Sequence, residues 1–402
     1  MPNDKDLFIP RTGEGWRDPF GMYKKLRDEA PVYRVPDNGE GEDYYVFSRH
    51  PEVFEASVNG AVYTSTKGIT HSYKDMELHE GRDIPIVNMD GPEHMEIRRV
   101  SLERFKPAKL AALEPHMREF VGERLDQIIE AGSGDIIKTI CKPLPSLFVA
   151  LSLGVPLSDA ELFDGWAWKV ASASASGNVM AASDAVMEMV GYFNKMIVDR
   201  RANPQDDMIS ALVHAELADG GRFSDAKIYG MGFTMVLGGN DTSTGLLSSA
   251  LEYLTRYPDQ RRKLIDDPSL RKNAATEALR LSTPVQGLAR TVTEDVTHHG
   301  VTIPEGRKVL LLYASANRDE RVFGDNAEDF DITRKIKQHM AFSAGAHMCI
   351  GAAAARMQAE IFLDEVMKRC PDFVVDHENA TFGEGHFVRR YDYMPFEPKG
   401  FG

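Results

Sequence analysis

Cysteine is scarce in this 402-residue chain: Cys141, Cys349 and Cys370 are its only three, and they are scattered. That excludes a disulfide framework and a four-thiolate metal site, so any cysteine with a function works alone. Basic charge is in deficit as well, with 47 lysines and arginines against 61 aspartates and glutamates and a net charge of −14. Such a balance opposes attraction to phosphate backbones and anionic membranes, which argues against nucleic acid as a partner. No apolar run reaches the roughly 18 residues of a membrane span. The N-terminus, MPNDKDLFIPRTGEGWRDPF, has neither a basic start nor an apolar stretch of signal-peptide length. A cytoplasmic chain without a membrane anchor is expected. A strand-turn-helix unit with G-x-G-x-x-G is missing too, so electrons for any redox chemistry must come from another protein.

What is present fits a globular enzyme: 43% apolar and 27% charged side chains, enough to enclose a large core. Residues 31–48 spell a hairpin, with PVYRV and DYYVFS on either side of a turn holding Asp37, Asn38 and Gly39. From about 92 to 282 apolar residues recur at helical spacing, punctuated by loop signals such as NPQDD from Asn203 and ADGGRFS from Ala218. β-branched runs follow Thr283, helix returns at about 351–370, and a short strand-and-loop tail closes the chain. One biased stretch, ASASASGNVMAAS at 171–183, reads equally as a surface helix or linker and as a mobile lid. The sum is a mainly α fold with small β-sheets, read as one domain over 1–402.

The richest segment runs from Phe342 to Gly351, FSAGAHMCIG, one cysteine among glycines. A helical pattern starts directly after Cys349, which places its sulfur beside the unpaired N–H groups and positive dipole end that stabilise a thiolate. Gly345 and Gly351 let the backbone and a flat ligand come close. A lone cysteine is more often a small buried hydrophobe, but here the surrounding pattern outweighs that reading. A second segment, 224–257, is capped at Ser224 or Asp225 and stops before Pro258; as a helix it spans about 50 Å. Inside it Gly238, Gly239, Asn240, Asp241 and Thr242 interrupt an apolar run. Two interior glycines cost about 2 kcal/mol relative to alanine, and an acid-hydroxyl pair in apolar surroundings needs partners. Asp241 and Thr242 are therefore read as functional.

Glu277 and Arg280 lie three apart on one face of a helix with Asp267 as cap, Pro268 at its first position and Pro284 beyond its end. Alone, such a pair is an ordinary salt bridge. His94 and Arg98, four apart after the helix-start signal Asp90-Gly91-Pro92, share a helix face, and Arg290 sits in the strand-like GLARTVT. Basic residues gather in two places: Arg98, Arg99, Arg104, Lys106 and Lys109 in one, Arg334, Lys335 and Lys337 in the other. A docking site for an acidic partner and a plain solvated face are equally good readings of these charges.

Phe342, Gly345, His347, Cys349 and Gly351 match all the fixed positions of F-x-x-G-x-H-x-C-x-G, and through them the chain resembles the cytochrome P450 family from Val32 to its C-terminus. The resemblance implies that family's fold, haem b (iron protoporphyrin IX) and monooxygenation. One atom of dioxygen would enter a C–H bond of a small to medium hydrophobic substrate, such as a terpenoid, steroid, alkyl or aromatic compound. It also implies Cys349 as the iron ligand, His347, His94, Arg98 and Arg290 at the haem propionates, and Phe342 with Gly351 in the same pocket. Asp241 would relay protons and Thr242 organise the hydrogen bonds around oxygen. Thr234, Leu237, Gly238, Val285 and Leu288 fall at substrate-lining positions, with 63–83 and the Ala-Ser stretch completing the pocket. Glu277 and Arg280 become a buried structural pair behind the cysteine loop. Electrons are expected from a ferredoxin with its NAD(P)H-dependent reductase, and the chain is expected to be a monomer. Three departures stand out: Ser343 replaces a common glycine, Ala354 a frequent leucine, and Asp329 falls where a basic residue usually completes the Glu-Arg network, a role left to Arg334. Alternatives are a peroxide-driven haem enzyme, against which Asp241 and Thr242 argue, a non-catalytic haem-thiolate sensor or carrier, and a zinc protein, for which no ligand set is visible beyond His347 and Cys349.

Overall fold

Alternating valines and tyrosines form the expected hairpin: β1 (Val32–Val35) pairs antiparallel with β2 (Tyr44–Phe47), Val32 opposite Phe47 and Val35 opposite Tyr44. The computed structural model describes residues 7–37, 43–73, 85–175 and 179–399, so most of the turn lies outside the described residues. β3 (Tyr63–Thr64) follows, then β4 (Gly134–Asp135) within the helical region. After Thr283 come β5 (Leu288–Val292), the hairpin of β6 (Val296–His298) with β7 (Val301–Ile303), and β8 (Lys308–Leu311). The main sheet has the order β1-β2-β8-β5-β3, and only its β2–β8 pair is parallel. The tail supplies β9 (Val374–Val375), β10 (Thr381–Phe382), β11 (Tyr391–Tyr393) and β12 (Pro395–Glu397); β12 joins β4 to β9, and β10 pairs with β11.

Helix dominates between these strands. The central helix, Asp225–Arg256, has 32 residues and spans about 48 Å. Its start is fixed by Ser224 Oγ, which accepts the Lys227 amide at 3.3 Å. Asp225 in its first turn and Arg256 in its last complement the dipole, and Pro258 stops it. The backbone stays helical through Gly238 and Gly239, so the interruption there is one of composition only. Residues 243–254 are buried on every side, and the hydroxyls of Thr244 and Ser248 within this stretch donate to backbone carbonyls. The preceding turns keep one half-exposed face that carries Thr234, Leu237, Asp241 and Thr242.

Helices Pro143–Leu153, Ala160–Ala175, Ser183–Ala202, Arg271–Ser282 and Ala352–Arg369 pack around this axis, and Leu247, Leu251, Ile140, Phe362 and Val366 meet in the largest core. Two boundaries differ from expectation. A 3-10 turn, Pro268–Leu270, precedes helix Arg271–Ser282, with Asp267 Oδ1 accepting the Ser269 amide at 3.0 Å. The last long helix starts at Ala352 with Gly351 as its cap, three residues beyond Cys349 rather than directly after it. The Ala-Ser stretch divides between the end of helix Ala160–Ala175, a 3-10 turn at Val179–Ala182 and the start of helix Ser183–Ala202; residues 176–178 lie outside the described residues. Among the described residues, no helix is long and apolar enough to cross a membrane.

Candidate functional site

Backbone hydrogen bonds fold the cysteine loop back on itself. The Cys349 amide donates to Phe342 O at 2.8 Å, Ser343 N–H to Met340 O at 2.8 Å and Met348 N–H to Gly345 O at 3.1 Å. Gly345 has φ +67°, and a Cβ there would lie 2.9 Å from Ser57 O, so only glycine lets the loop rest on the backbone of helix His50–Val58. Gly351, at φ −84°, has no such demand; a Cβ there would have only the Cys349 Sγ within 4 Å, at 3.9 Å. Glycine at that point leaves space beside the sulfur. Arg356 lies over the Phe342 ring at 4.7 Å.

The Cys349 thiol keeps accessible surface although protein surrounds it deeply enough for burial to raise its pKa above the ordinary value. A thiol in both conditions faces an internal space. The Gly351 N–H, Arg98 and Arg356 pull its pKa the other way and are outweighed. The helix end expected to favour the thiolate begins too late in the chain to dominate. Ionisation at Cys349 therefore calls for a cation at the sulfur.

One flank is a cleft of about 420 Å³ that Asp90, His94, Arg290, His347 and Tyr63 help to line. His94 and Arg98 share a face of helix Gly91–Leu102, as their spacing requires, and both are buried. Arg98 Nη2 donates to Met348 O, which ties that helix to the cysteine loop. Arg290 is 3% exposed on β5, with Nη1 on Ala289 O at 2.8 Å. His347 stacks on His94 with ring centroids 4.3 Å apart and planes at 22°. Burial lowers the His94 pKa to about 4, with His347 and Arg98 adding to the effect against Asp90. At neutral pH its ring is therefore uncharged in this site. Asp90, read in the sequence only as a helix-start signal, accepts from His347 Nε2 at 2.8 Å. A second depression of about 600 Å³ on the outer face of helix Ser183–Ala202 touches none of these residues.

Behind the loop, Glu277 and Arg280 are fully buried and bidentate, Nε to Oε2 at 2.7 Å and Nη2 to Oε1 at 2.8 Å. Arg280 Nη1 donates to Asn317 O and Ala327 O. Arg334 Nε completes the network on Glu277 Oε1 at 2.9 Å, while Asp329 offers its backbone carbonyl to both guanidiniums. This is the buried anchor, with Arg334 in the basic role.

On the central helix, Thr242 Oγ1 donates to Gly238 O at 2.7 Å. Asp241 Oδ1 lies 3.0 Å from Arg390 Nε, an ion pair to the residue just before β11, although that N–H is not aligned on a hydrogen-bond acceptor. Burial pushes the nearby Asp164 carboxyl up to about 6; Lys142, Ser146 and Arg390 oppose the shift and Asp241 adds to it. Arg390 and Asp164 went unread in the sequence. Thr234 Oγ1 is turned back onto Gly230 O at 2.8 Å, and a Cβ on Gly238 would meet nothing within 4 Å. Leu237 packs at the edge of the main core, whereas Val285 and Leu288 border the separate core formed by the main sheet. Of the region 63–83, residues 74–83 lie outside the described residues.

The two basic clusters need correction. Arg98 and Arg334 turn inward, Arg104 and Lys109 both bind Asp206, and Lys106 pairs with Glu103. Arg99, Lys335 and Lys337 remain exposed.

The donor set fits haem. No three His, Cys, Asp or Glu groups converge on a metal position among the described residues, which leaves zinc without a site. A single sulfur suffices where a porphyrin supplies the in-plane ligands, and two buried guanidiniums, Arg98 and Arg290, suit its carboxylates. Fold and site together define a class, a helix-dominated protein arranged to hold haem through one cysteine. Comparison with known proteins gives the family. The family model for cytochrome P450 matches residues 269–380. Cytochrome P450 130 of Mycobacterium tuberculosis is 46% identical over 389 residues, covering 96% of each chain. Two solved structures are similar. The bacillaene polyketide synthase cytochrome P450 PksS of Bacillus subtilis has a TM-score of 0.88 at 28% identity, covering 98% of this chain and 100% of that one. CYP109E1 of Bacillus megaterium in complex with testosterone has a TM-score of 0.83 at 29% identity, covering 95% and 100%. The chain belongs to the cytochrome P450 family, whose members are haem b monooxygenases.

Proposed function

We propose that the protein hydroxylates a small to medium hydrophobic compound on haem b, which Cys349 would hold as a thiolate, with electrons from a ferredoxin-type donor. The observation that carries this reading is the deeply placed Cys349 thiol that keeps open surface, anchored by the Phe342 carbonyl and backed by the buried Glu277-Arg280-Arg334 network. Haem, when bound, supplies the activation of dioxygen. The chain's own residues do the rest. Arg98 and Arg290 would hold the propionates as cations, and His94 would add an imidazole N–H group beside the stacked ring of His347. Phe342 and Gly351 shape the sulfur's surroundings. Thr242 holds a hydroxyl on the half-exposed face of the central helix, where its oxygen can also accept a bond from water. Asp241, released from Arg390, passes protons inward from solvent.

Thr234, Leu237, Gly238, Val285 and Leu288 give a mainly apolar lining, which suits a terpenoid, steroid, alkyl or aromatic compound. The steroid bound to the similar CYP109E1 supports a search in that class first. The donor docks over exposed basic side chains that include Arg99, Lys335 and Lys337. A library screen for compounds that shift the ferric spin state, followed by product analysis with a surrogate ferredoxin and reductase, tests the proposal. A spin-shifting compound converted to a hydroxylated product supports it; spin-shifting ligands that never turn over with electrons supplied would leave a haem-thiolate sensor or carrier.

A further inference from the structure

Asp90 stands at the N-cap of helix Gly91–Leu102 in extended backbone, φ −130° and ψ 172°, yet its side chain caps no helical amide. An aspartate at that position ordinarily accepts the N–H of the second or third helical residue. Here both carboxylate oxygens serve other segments. Oδ2 accepts from Thr64 Oγ1 at 2.5 Å and from the Ser65 amide at 2.9 Å. Oδ1 accepts from His347 Nε2 at 2.8 Å, and Ser65 Oγ stands 3.3 Å from the same nitrogen. One side chain thus joins β3, the helix carrying His94 and Arg98, and the cysteine loop.

We propose that Asp90 is a positioning residue for the haem-carboxylate flank, fixing the His347 ring against His94 so that both imidazoles meet the cofactor in one orientation. The proposal rests on the haem reading above and adds a residue to it. Burial pushes the Asp90 carboxyl up, but the bonds from His347, Thr64 and Ser65 together hold it below the usual carboxylate range, so it stays an acceptor at neutral pH. Gly345 resting on helix His50–Val58 fixes the loop from the opposite side, which makes ring rotation of His347 the freedom that Asp90 removes. Partners of this kind, one bond beyond the groups that touch a cofactor, set the orientation of those groups.

The test is haem transfer from the purified holoprotein to excess apomyoglobin, read beside Soret-region circular dichroism, which reports how haem sits against its neighbours. Asp90→Asn should release haem about tenfold faster and change the Soret dichroism. Thr64→Val, which removes a bond from Oδ2 and leaves Oδ1 on His347, should lower stability to urea without moving either haem readout. In a His347→Phe background the effect of Asp90→Asn should vanish, because the two residues act as one unit. Asp90→Glu, which keeps the charge and displaces the oxygens, should also speed release, and serves if the asparagine variant does not accumulate folded. Release at the wild-type rate in the Asp90 variants, full additivity with His347→Phe, or equal effects from Thr64→Val would each overturn the proposal. A wild-type protein purified without haem would instead defeat the reading beneath it, before any variant is made.

Discussion

The network behind the cysteine loop and the half-exposed face of the central helix are built on different principles. Behind the loop, Glu277 and Arg280 have no exposure, and their polar atoms end on a carboxylate, another guanidinium or a backbone carbonyl. On the central helix, Thr234, Leu237, Asp241 and Thr242 are half-exposed, and Asp241 pairs with Arg390 through an N–H that is not aligned. Buried charges must be satisfied or they destabilise, so the first region tolerates little change. A face that receives variable ligands and passes protons needs the opposite, open surface and groups that can exchange partners. The contrast predicts that damage behind the loop appears as lost haem and lost stability, while damage on that face appears as altered yield and specificity.

The largest effect tests the loop itself. Cys349→Ala should eliminate the red-shifted Soret band of the ferrous carbon-monoxide complex and bring hydroxylation below detection; a variant that kept both would break the comparison at its centre. Next comes the buried side. Glu277→Ala strands two guanidiniums and should cost about 3–5 kcal/mol in urea unfolding of the holoprotein. The exposed pair Lys106–Glu103 gives the contrast, with Glu103→Ala costing no more than about 0.5 kcal/mol. Similar losses from the two would show that the Glu277 network is not the anchor its burial indicates.

On the open side, Thr242→Ala should retain haem and ligand binding while product formed per NAD(P)H falls several-fold and peroxide rises. An unchanged product-to-NAD(P)H ratio removes Thr242 from proton delivery. Asp164 gives the same region a pH signature. Its folded pKa is about 6, whereas an unfolded aspartate titrates near 3.9. The folded state then holds the extra proton between about pH 4 and pH 6, so stability falls as pH rises through that window and stays lower above it. Asp164→Asn should therefore stabilise the protein at neutral pH by about 3 kcal/mol and change nothing below about pH 4. Urea midpoints at both ends of the range check the sign, with Lys142, Ser146, Asp241 and Arg390 as the groups that face this carboxyl. A gain of equal size at low pH would mean that the substitution acts through packing.

The same division governs what could be read in advance. Cys349 and its glycines act within one short loop, and Glu277 with Arg280 within one helical turn, so spacing alone placed them. The hairpin and the central helix carried their own turn, cap and proline signals. Asp90 and His347 meet across 257 positions, and Arg390, just before β11, reaches Asp241 on the central helix; no local pattern marks either contact. Asp90 was even disguised, because its sequence context is that of a helix cap whose side chain turns out to face elsewhere. The basic clusters misled for a related reason, since charge in a sequence does not reveal that Arg98 and Arg334 point inward.

Ser343 brings the comparison down to one backbone torsion. The residue has φ +56°, the left-handed region in which a side chain costs about 1–2 kcal/mol and glycine costs nothing. A glycine would adopt this torsion without cost, and the serine here is strained. Against that cost, Ser343 Oγ accepts from Tyr313 OH at 3.3 Å, a long bond worth about 0.5–1 kcal/mol net. Glycine also adds freedom to the unfolded chain, which takes back part of the gain. Ser343→Gly should then stabilise the holoprotein by no more than about 1 kcal/mol, with no change in product yield, because the loop's hydrogen bonds run through its backbone. If the variant were less stable, the Tyr313 bond would outweigh the torsion. If it kept its stability and lost yield, the loop would be tuned for catalysis and not merely for holding its sulfur.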